Sequence, residues 1–96
     1  MRKYEAMLIV KPDLNEDEKK NVFNQINEAV IKLNGQIISS GLWSEKRKFF
    51  FTIKKHREGV YYLASFNLEP ANVSKLNAAY KLNENILRAL VTVRES

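Results

Sequence analysis

Lys46-Arg47-Lys48-Phe49-Phe50-Phe51-Thr52-Ile53-Lys54-Lys55, followed after a short charged interval by Val60-Tyr61-Tyr62-Leu63-Ala64-Ser65-Phe66-Asn67-Leu68, occupies the middle of a 96-residue chain. Aromatic and β-branched side chains suit a pleated, half-buried backbone, so both runs read as strands. In the second run Val60, Tyr62, Ala64, Phe66 and Leu68 share one face, and Tyr61, Leu63, Ser65 and Asn67 the other. Lys54 to Gly59 reads as a charged turn that joins the strands into a hairpin, with His56 as a solvated loop residue.

Working upstream, the first strand of the hairpin extends back to Gln36, and Ser39-Ser40-Gly41 predicts a bulge near Gly41. Asn15-Glu16-Asp17-Glu18 before it has the N-cap and N3 acid of a capping box. Val22, Phe23, Ile26, Ala29, Val30 and Leu33 then recur at helical spacing, which predicts a helix from 15 or 16 to 33. Asn34-Gly35 supplies its stop, since glycine tolerates the left-handed conformation. Tyr4 to Val10 reads as an opening strand that ends at Lys11-Pro12-Asp13. Its even positions, Tyr4, Ala6, Leu8 and Val10, face one way; Glu5, Met7 and Ile9 face the other.

Downstream, Glu69-Pro70 opens a second helix whose apolar stripe is Val73, Leu76, Ala79 and Tyr80. Asn83-Glu84-Asn85 breaks it, and Ile86 to Arg94 reads as a closing strand. The order β-α-β-β-α-β predicts an α+β, ferredoxin-like domain over residues 1–96: a four-stranded antiparallel sheet with both helices on one face. Right-handed crossovers place the first and third strands in its centre.

Composition narrows the chemistry. A formal charge of +5 and a pI near 9.6 favour acidic partners, nucleic acid first among them. There is no Cys and only one His, which argues against thiol chemistry and against a zinc or copper site. The N-terminus lacks the apolar core of a signal peptide and reads as cytosolic. No hydrophobic run approaches the ~20 residues of a membrane-spanning helix. The serines have no adjacent base, and the glycines stand isolated at 35, 41 and 59 rather than in a phosphate cradle. Glu16, Asp17 and Glu18 are better read as helix-capping acids than as a metal cluster. No enzyme activity, cofactor or metal is expected.

Surfaces say more. If the even positions of the first strand face the helices, Met7 and Ile9, joined by Tyr61 and Leu63 from the third strand and Leu90 from the fourth, form an apolar and aromatic patch on the open sheet face; with the opposite parity these side chains are simply core. Such a patch suits either a docked protein or stacked bases, as in RNA-recognition domains. The basic and aromatic signature of those domains is absent, because Val60-Tyr61-Tyr62-Leu63 has no basic start. The cations of 46–55 have two readings as well. They neutralise phosphates, or they are gatekeepers that keep a hydrophobic strand from aggregating.

Three segments together resemble a known family: Arg2-Lys3-Tyr4-Glu5 with Lys11-Pro12-Asp13-Leu14, the basic-aromatic run 46–55, and Leu82-Asn83-Glu84-Asn85-Ile86-Leu87-Arg88-Ala89-Leu90-Val91. They are similar to the bacterial small-subunit (30S) ribosomal protein S-six family over essentially the whole chain. That resemblance implies a ferredoxin-like fold, no catalysis, a cytoplasmic, ribosome-associated location, and binding to the central domain of small-subunit (16S) ribosomal RNA together with the eighteenth small-subunit ribosomal protein. It assigns Arg2, Lys3, Lys46, Arg47, Lys48 and Arg88 to phosphate or partner contacts, which position rather than read sequence. Arg88 shares its strand face with Leu90 and Thr92. The chain departs from the family pattern at Trp43-Ser44-Glu45, where Trp-Gly is common, and at Phe51-Thr52-Ile53, where Tyr-Pro-Ile is common. Some members carry a long C-terminal tail, and any partner contact made by it is expected to be lost or shortened here. The alternative is a ribosome-independent, RNA-recognition-like module that stacks single-stranded RNA on Tyr61 and its neighbours.

Overall fold

The computed structural model describes residues 1–94, apart from the side chains of residues 45–47 and 49–51. Strand β1 (Arg2–Val10) leads into helix α1 (Glu16–Lys32), the long hairpin β2 (Gln36–Ile53) and β3 (His56–Leu68), a 3-10 turn (Pro70–Asn72), helix α2 (Val73–Leu82) and strand β4 (Ile86–Val93). The sheet has four strands in the order β2-β3-β1-β4, antiparallel throughout, with β1 and β3 central as right-handed crossovers require.

Period-two alternation builds the core. Tyr4, Ala6, Leu8 and Val10 of β1 interleave with Val60, Tyr62, Ala64, Phe66 and Leu68 of β3, all buried. Val22, Ile26 and Val30 of α1 and Leu76 and Tyr80 of α2 close over them. Each of the larger aliphatic side chains and Phe66 stabilises the fold by about 1.5–3 kcal/mol on full burial. Tyr80 ties the two helices together: its hydroxyl donates to the Ile26 carbonyl at 3.0 Å. Burial pushes the Tyr80 phenol well above its ordinary pKa, and the nearby Tyr62 hydroxyl adds to that shift.

Both helix ends are locally specified. Asn15 accepts from the Glu18 amide at 2.8 Å while Glu18 accepts from the Asn15 amide at 3.1 Å, completing the capping box. At the other end the chain turns through Asn34 at φ 63°, with Asn34 N–H donating to the Ile31 carbonyl and Gly35 N–H to the Val30 carbonyl. These are the two bonds of a Schellman motif. The left-handed residue is thus Asn34, not the Gly35 that the sequence suggests. Gly35 is required for a different reason: a Cβ there would stand 2.6 Å from Val30 Cγ1 and 2.8 Å from the Asn67 carbonyl oxygen.

The hairpin departs from its sequence reading in two ways. The turn is only Lys54-Lys55, at φ 47° and 71°, because Ile53 already pairs with His56. Two consecutive positive φ values give the turn twist that suits a two-residue hairpin. His56 accordingly begins β3 and is half-buried instead of lying in a loop. Gly41 pairs regularly with Leu63, while the register slips on either side of it, between Ile37 and Ser39 and between Leu42 and Ser44.

Candidate partner and nucleic-acid interface

Helices cover one face of the sheet; the other carries the odd positions of β1 and their cross-strand neighbours. Met7 lies opposite Leu63 of β3 and Leu90 of β4, and Ile9 opposite Tyr61 and Arg88. Residues directly opposite in antiparallel strands share a face, so the expected patch Met7, Ile9, Tyr61, Leu63 and Leu90 is brought together. Its members differ in accessibility. Leu90 is 49% exposed, Met7, Tyr61 and Leu63 are half-buried, and Ile9 is buried at 4%. Ile9 therefore supports the patch from below and is not part of its surface.

Trp43 completes this face. It occupies the slipped position of β2 between Leu42, which pairs with Tyr62, and Ser44, which pairs with Tyr61. Its ring meets that of Tyr61 edge-on, with centroids 5.4 Å apart and planes at 71°, yet the residue remains 50% exposed. Trp43, Met7, Leu63 and Leu90, with Glu5 and Thr92 at the rim, line a shallow groove of roughly 310 Å³. Sequence reasoning treated Trp43 only as a departure from a family pattern. The available signal was its parity with Ser39 and Gly41, which lie opposite Ser65 and Leu63 on this same face.

Charge is distributed unevenly over the face. At one end Glu5 is ion-paired with Arg94, whose amide also donates to the Lys3 carbonyl at 2.8 Å. At the other end Arg88 is exposed beside Ile9, on the face of Leu90 and Thr92.

The candidate cations do not form one cluster. Arg2 and Lys3, both exposed, pair with Leu68 and Asn67 at the end of the sheet where β3 finishes. Lys48, also exposed, lies at the opposite end, in the part of the hairpin that extends beyond Val10 and pairs with Glu58. The side chains of Lys46 and Arg47 lie outside the described residues. Among the described residues no group of three or more His, Asp or Glu side chains is placed to hold a metal ion, and no helix is long and apolar enough to cross a membrane.

An apolar, aromatic-edged groove on an open sheet, bordered by separate cationic positions, suits an extended macromolecular partner better than a small substrate. Comparison with known proteins agrees. The profile of the family described as Ribosomal protein S6 matches residues 3–93. The small ribosomal subunit protein bS6 of Helicobacter pylori (strain G27) is 40% identical over all 96 residues, which span 67% of its own length. Its counterpart in Caldanaerobacter subterraneus subsp. tengcongensis is 35% identical over 91 residues, covering 95% of each chain. Among solved structures, the 30S ribosomal protein S6 of Thermotoga maritima superposes with a TM-score of 0.88 at 29% identity, over 97% of this chain and 87% of that one. With the β2-β3-β1-β4 sheet and its two helices matched along nearly their whole length, this chain belongs to the Ribosomal protein S6 family of the small ribosomal subunit.

Proposed function

We propose that the chain is a non-catalytic structural constituent of the small ribosomal subunit. It binds the central domain of small-subunit ribosomal RNA jointly with the eighteenth small-subunit protein, which docks on the open sheet face. The observation that carries this reading is the groove between Trp43, Met7, Leu63 and Leu90, where half-exposed apolar side chains surround a concave surface. Clustered aromatic and apolar side chains of this kind are the usual centre of a protein interface. Arg2, Lys3, Lys48 and Arg88 border the sheet at its two ends, where they reach phosphates without competing for the groove. Lys46 and Arg47 belong to the same set by sequence.

The same geometry speaks against a base-stacking module. A stacking platform needs rings lying flat on the sheet. Trp43 and Tyr61 instead meet edge-on with their planes at 71°, so the two rings do not form one flat platform.

The test is filter retention of a central-domain rRNA fragment by the purified chain at physiological salt, with and without the eighteenth protein. Tight retention only with both proteins is expected. Retention of short single strands by this chain alone, lost on Tyr61→Ala, would overturn the reading in favour of the stacking module.

A further inference from the structure

The two edges of the sheet are built differently. β4, at one edge, carries the exposed Arg88, a charge of the kind that keeps an edge from pairing with another chain. β2, at the other, opens with Gln36-Ile37-Ile38-Ser39-Ser40-Gly41-Leu42-Trp43-Ser44, a run without a charge or a proline. Every residue from Ile38 to Trp43 is exposed, Ile38 at 48% and Leu42 at 46%. A strand covered on one face shows every second side chain to solvent; exposure of consecutive residues places the edge itself in water. A Cβ on Gly41 would meet nothing within 4 Å. Such an edge offers unpaired N–H and C=O groups to another strand.

The run is also complementary to itself. In an antiparallel pair of two copies with Ser40 opposite Ser40, Ile38 of each copy lies opposite Leu42 of the other, so the exposed apolar side chains meet twice. Gln36 lies opposite Ser44, and the pairing ends before Glu45, so the 46–48 cations of the two copies do not meet. With a formal charge of +5 on each chain, an uncharged segment is where two copies approach at least electrostatic cost. The same lack of cations leaves nothing here to neutralise phosphates. Helix α1 flanks the seam: Asn27 donates to the Ser40 hydroxyl at 3.2 Å, and Ile31, one turn later on that side of the helix, is 57% exposed.

We propose that the edge of β2 is the interface of a weak symmetric dimer, two copies of this chain joining through Ile38–Leu42 into one continuous sheet. The two-fold axis stands perpendicular to the sheet at Ser40, which keeps the helices of both copies on one side and sets the two α1 flanks beside the seam. An interface of this kind uses the same patch on both copies and closes at two. The slips in β2 between Ile37 and Ser39 and between Leu42 and Ser44 confine the regular stretch to Ser39–Leu42, so the pairing is short and readily reversed. This state belongs to the chain free of its other partners and does not depend on the rRNA-binding reading above.

The chain has no cysteine, so single introduced thiols report the pairing and its register. Residues directly opposite in an antiparallel pair hold their Cα atoms about 4.5–5.5 Å apart, a separation that a disulfide spans. On mild oxidation Ser40→Cys is expected to form a covalent dimer about tenfold faster than Ser39→Cys, whose opposite number is Gly41, and than Ser74→Cys, exposed on α2. Adding Leu42→Lys to Ser40→Cys should return the rate to that of Ser74→Cys. Equal rates for the three single variants, or a Ser40→Cys rate untouched by Leu42→Lys, overturn the proposal.

Sedimentation of the unmodified chain between about 1 μM and 1 mM should show monomer passing to dimer and no larger species. Leu42→Lys should stay monomeric at an unchanged melting temperature, because the side chain it replaces is already exposed. Open-ended growth, or a monomer at every concentration, overturns the proposal. A monomer whose co-retention of rRNA with the eighteenth protein falls on Leu42→Lys overturns it too, and gives the edge to that protein instead.

Discussion

Replacing Gly35 by Ala tests whether this position is governed by packing or by backbone conformation. The added Cβ would lie 2.6 Å from Val30 Cγ1, 2.8 Å from the Asn67 carbonyl oxygen and 3.0 Å from Leu68 Cδ1. Of these neighbours the Asn67 oxygen has least freedom to yield, since it belongs to the backbone of β3 between Lys3 of β1 and Gln36 of β2. Val30 and Leu68 are both fully buried and cannot swing into solvent. Overpacking of this kind costs about 1–3 kcal/mol, with the rigid contact favouring the upper part of that range. Against it stands the lower chain entropy of an unfolded Ala, ~0.4–1 kcal/mol, available because Gly35 is not at positive φ. The net loss is about 2 kcal/mol, which lowers the melting temperature of a chain this size by roughly 8–16 °C. Calorimetry or urea unfolding measures it. Gly35→Asn separates the two explanations, since Asn tolerates the left-handed region but is bulkier than Ala. Steric exclusion makes Asn at least as damaging as Ala. A Gly35→Asn variant milder than Gly35→Ala, or an Ala variant as stable as the parent, would refute the packing argument.

The groove and the core yield further expectations. Leu90→Asp places a carboxylate at the exposed edge of the groove; co-retention of rRNA with the eighteenth protein should fall at least tenfold in the binding assay, while the melting temperature moves by less than about 4 °C, as expected of a surface change below ~0.5 kcal/mol. Tyr80 keeps its proton in the folded state to higher pH than when unfolded, so its stabilising contribution is complete below about pH 10 and is lost as pH rises toward the folded pKa. Urea titrations should therefore show the parent losing up to ~1.4 kcal/mol per pH unit more than Tyr80→Phe above pH 10; equal slopes would mean that the phenol ionises as freely as in water. Asn15→Ala removes one half of the capping box and should cost about 1 kcal/mol by equilibrium unfolding.

Much of this architecture was legible because β1, α1 and β3 carry clean periodicities. In Val60–Leu68 the alternation assigns every side chain to its observed face, and the parity of Arg88, Leu90 and Thr92 follows equally from counting. Counting fails where hydrogen bonds slip. β2 slips between Leu42 and Ser44, next to Gly41 where a bulge is expected, but also between Ile37 and Ser39, Ser44 and Arg47, and Lys48 and Ile53, positions without a glycine to announce them. The hairpin turn was misplaced for a related reason: Lys54 and Lys55 carry no turn propensity, whereas the nearby Gly59, which looked like one end of the turn, lies buried within β3. Ile9 shows the limit of face assignment, since the correct face did not reveal that its neighbours bury it.

The turn after α1 carries one more consequence, in the chemical ageing of the chain. Asn followed by Gly is the dipeptide most prone to deamidation, because the unhindered glycine nitrogen attacks the side-chain amide to form a succinimide. Here that nitrogen is already committed, donating to the Val30 carbonyl at 3.0 Å, and the Asn34 backbone is held at φ 63°. Cyclisation needs both restraints released, so the reaction is suppressed while the C-terminal turn of α1 stays formed and proceeds once it opens. The fraction of chains carrying Asp or isoaspartate at position 34 then records the accumulated time each molecule has spent with this turn open, readable by mass spectrometry long after the event.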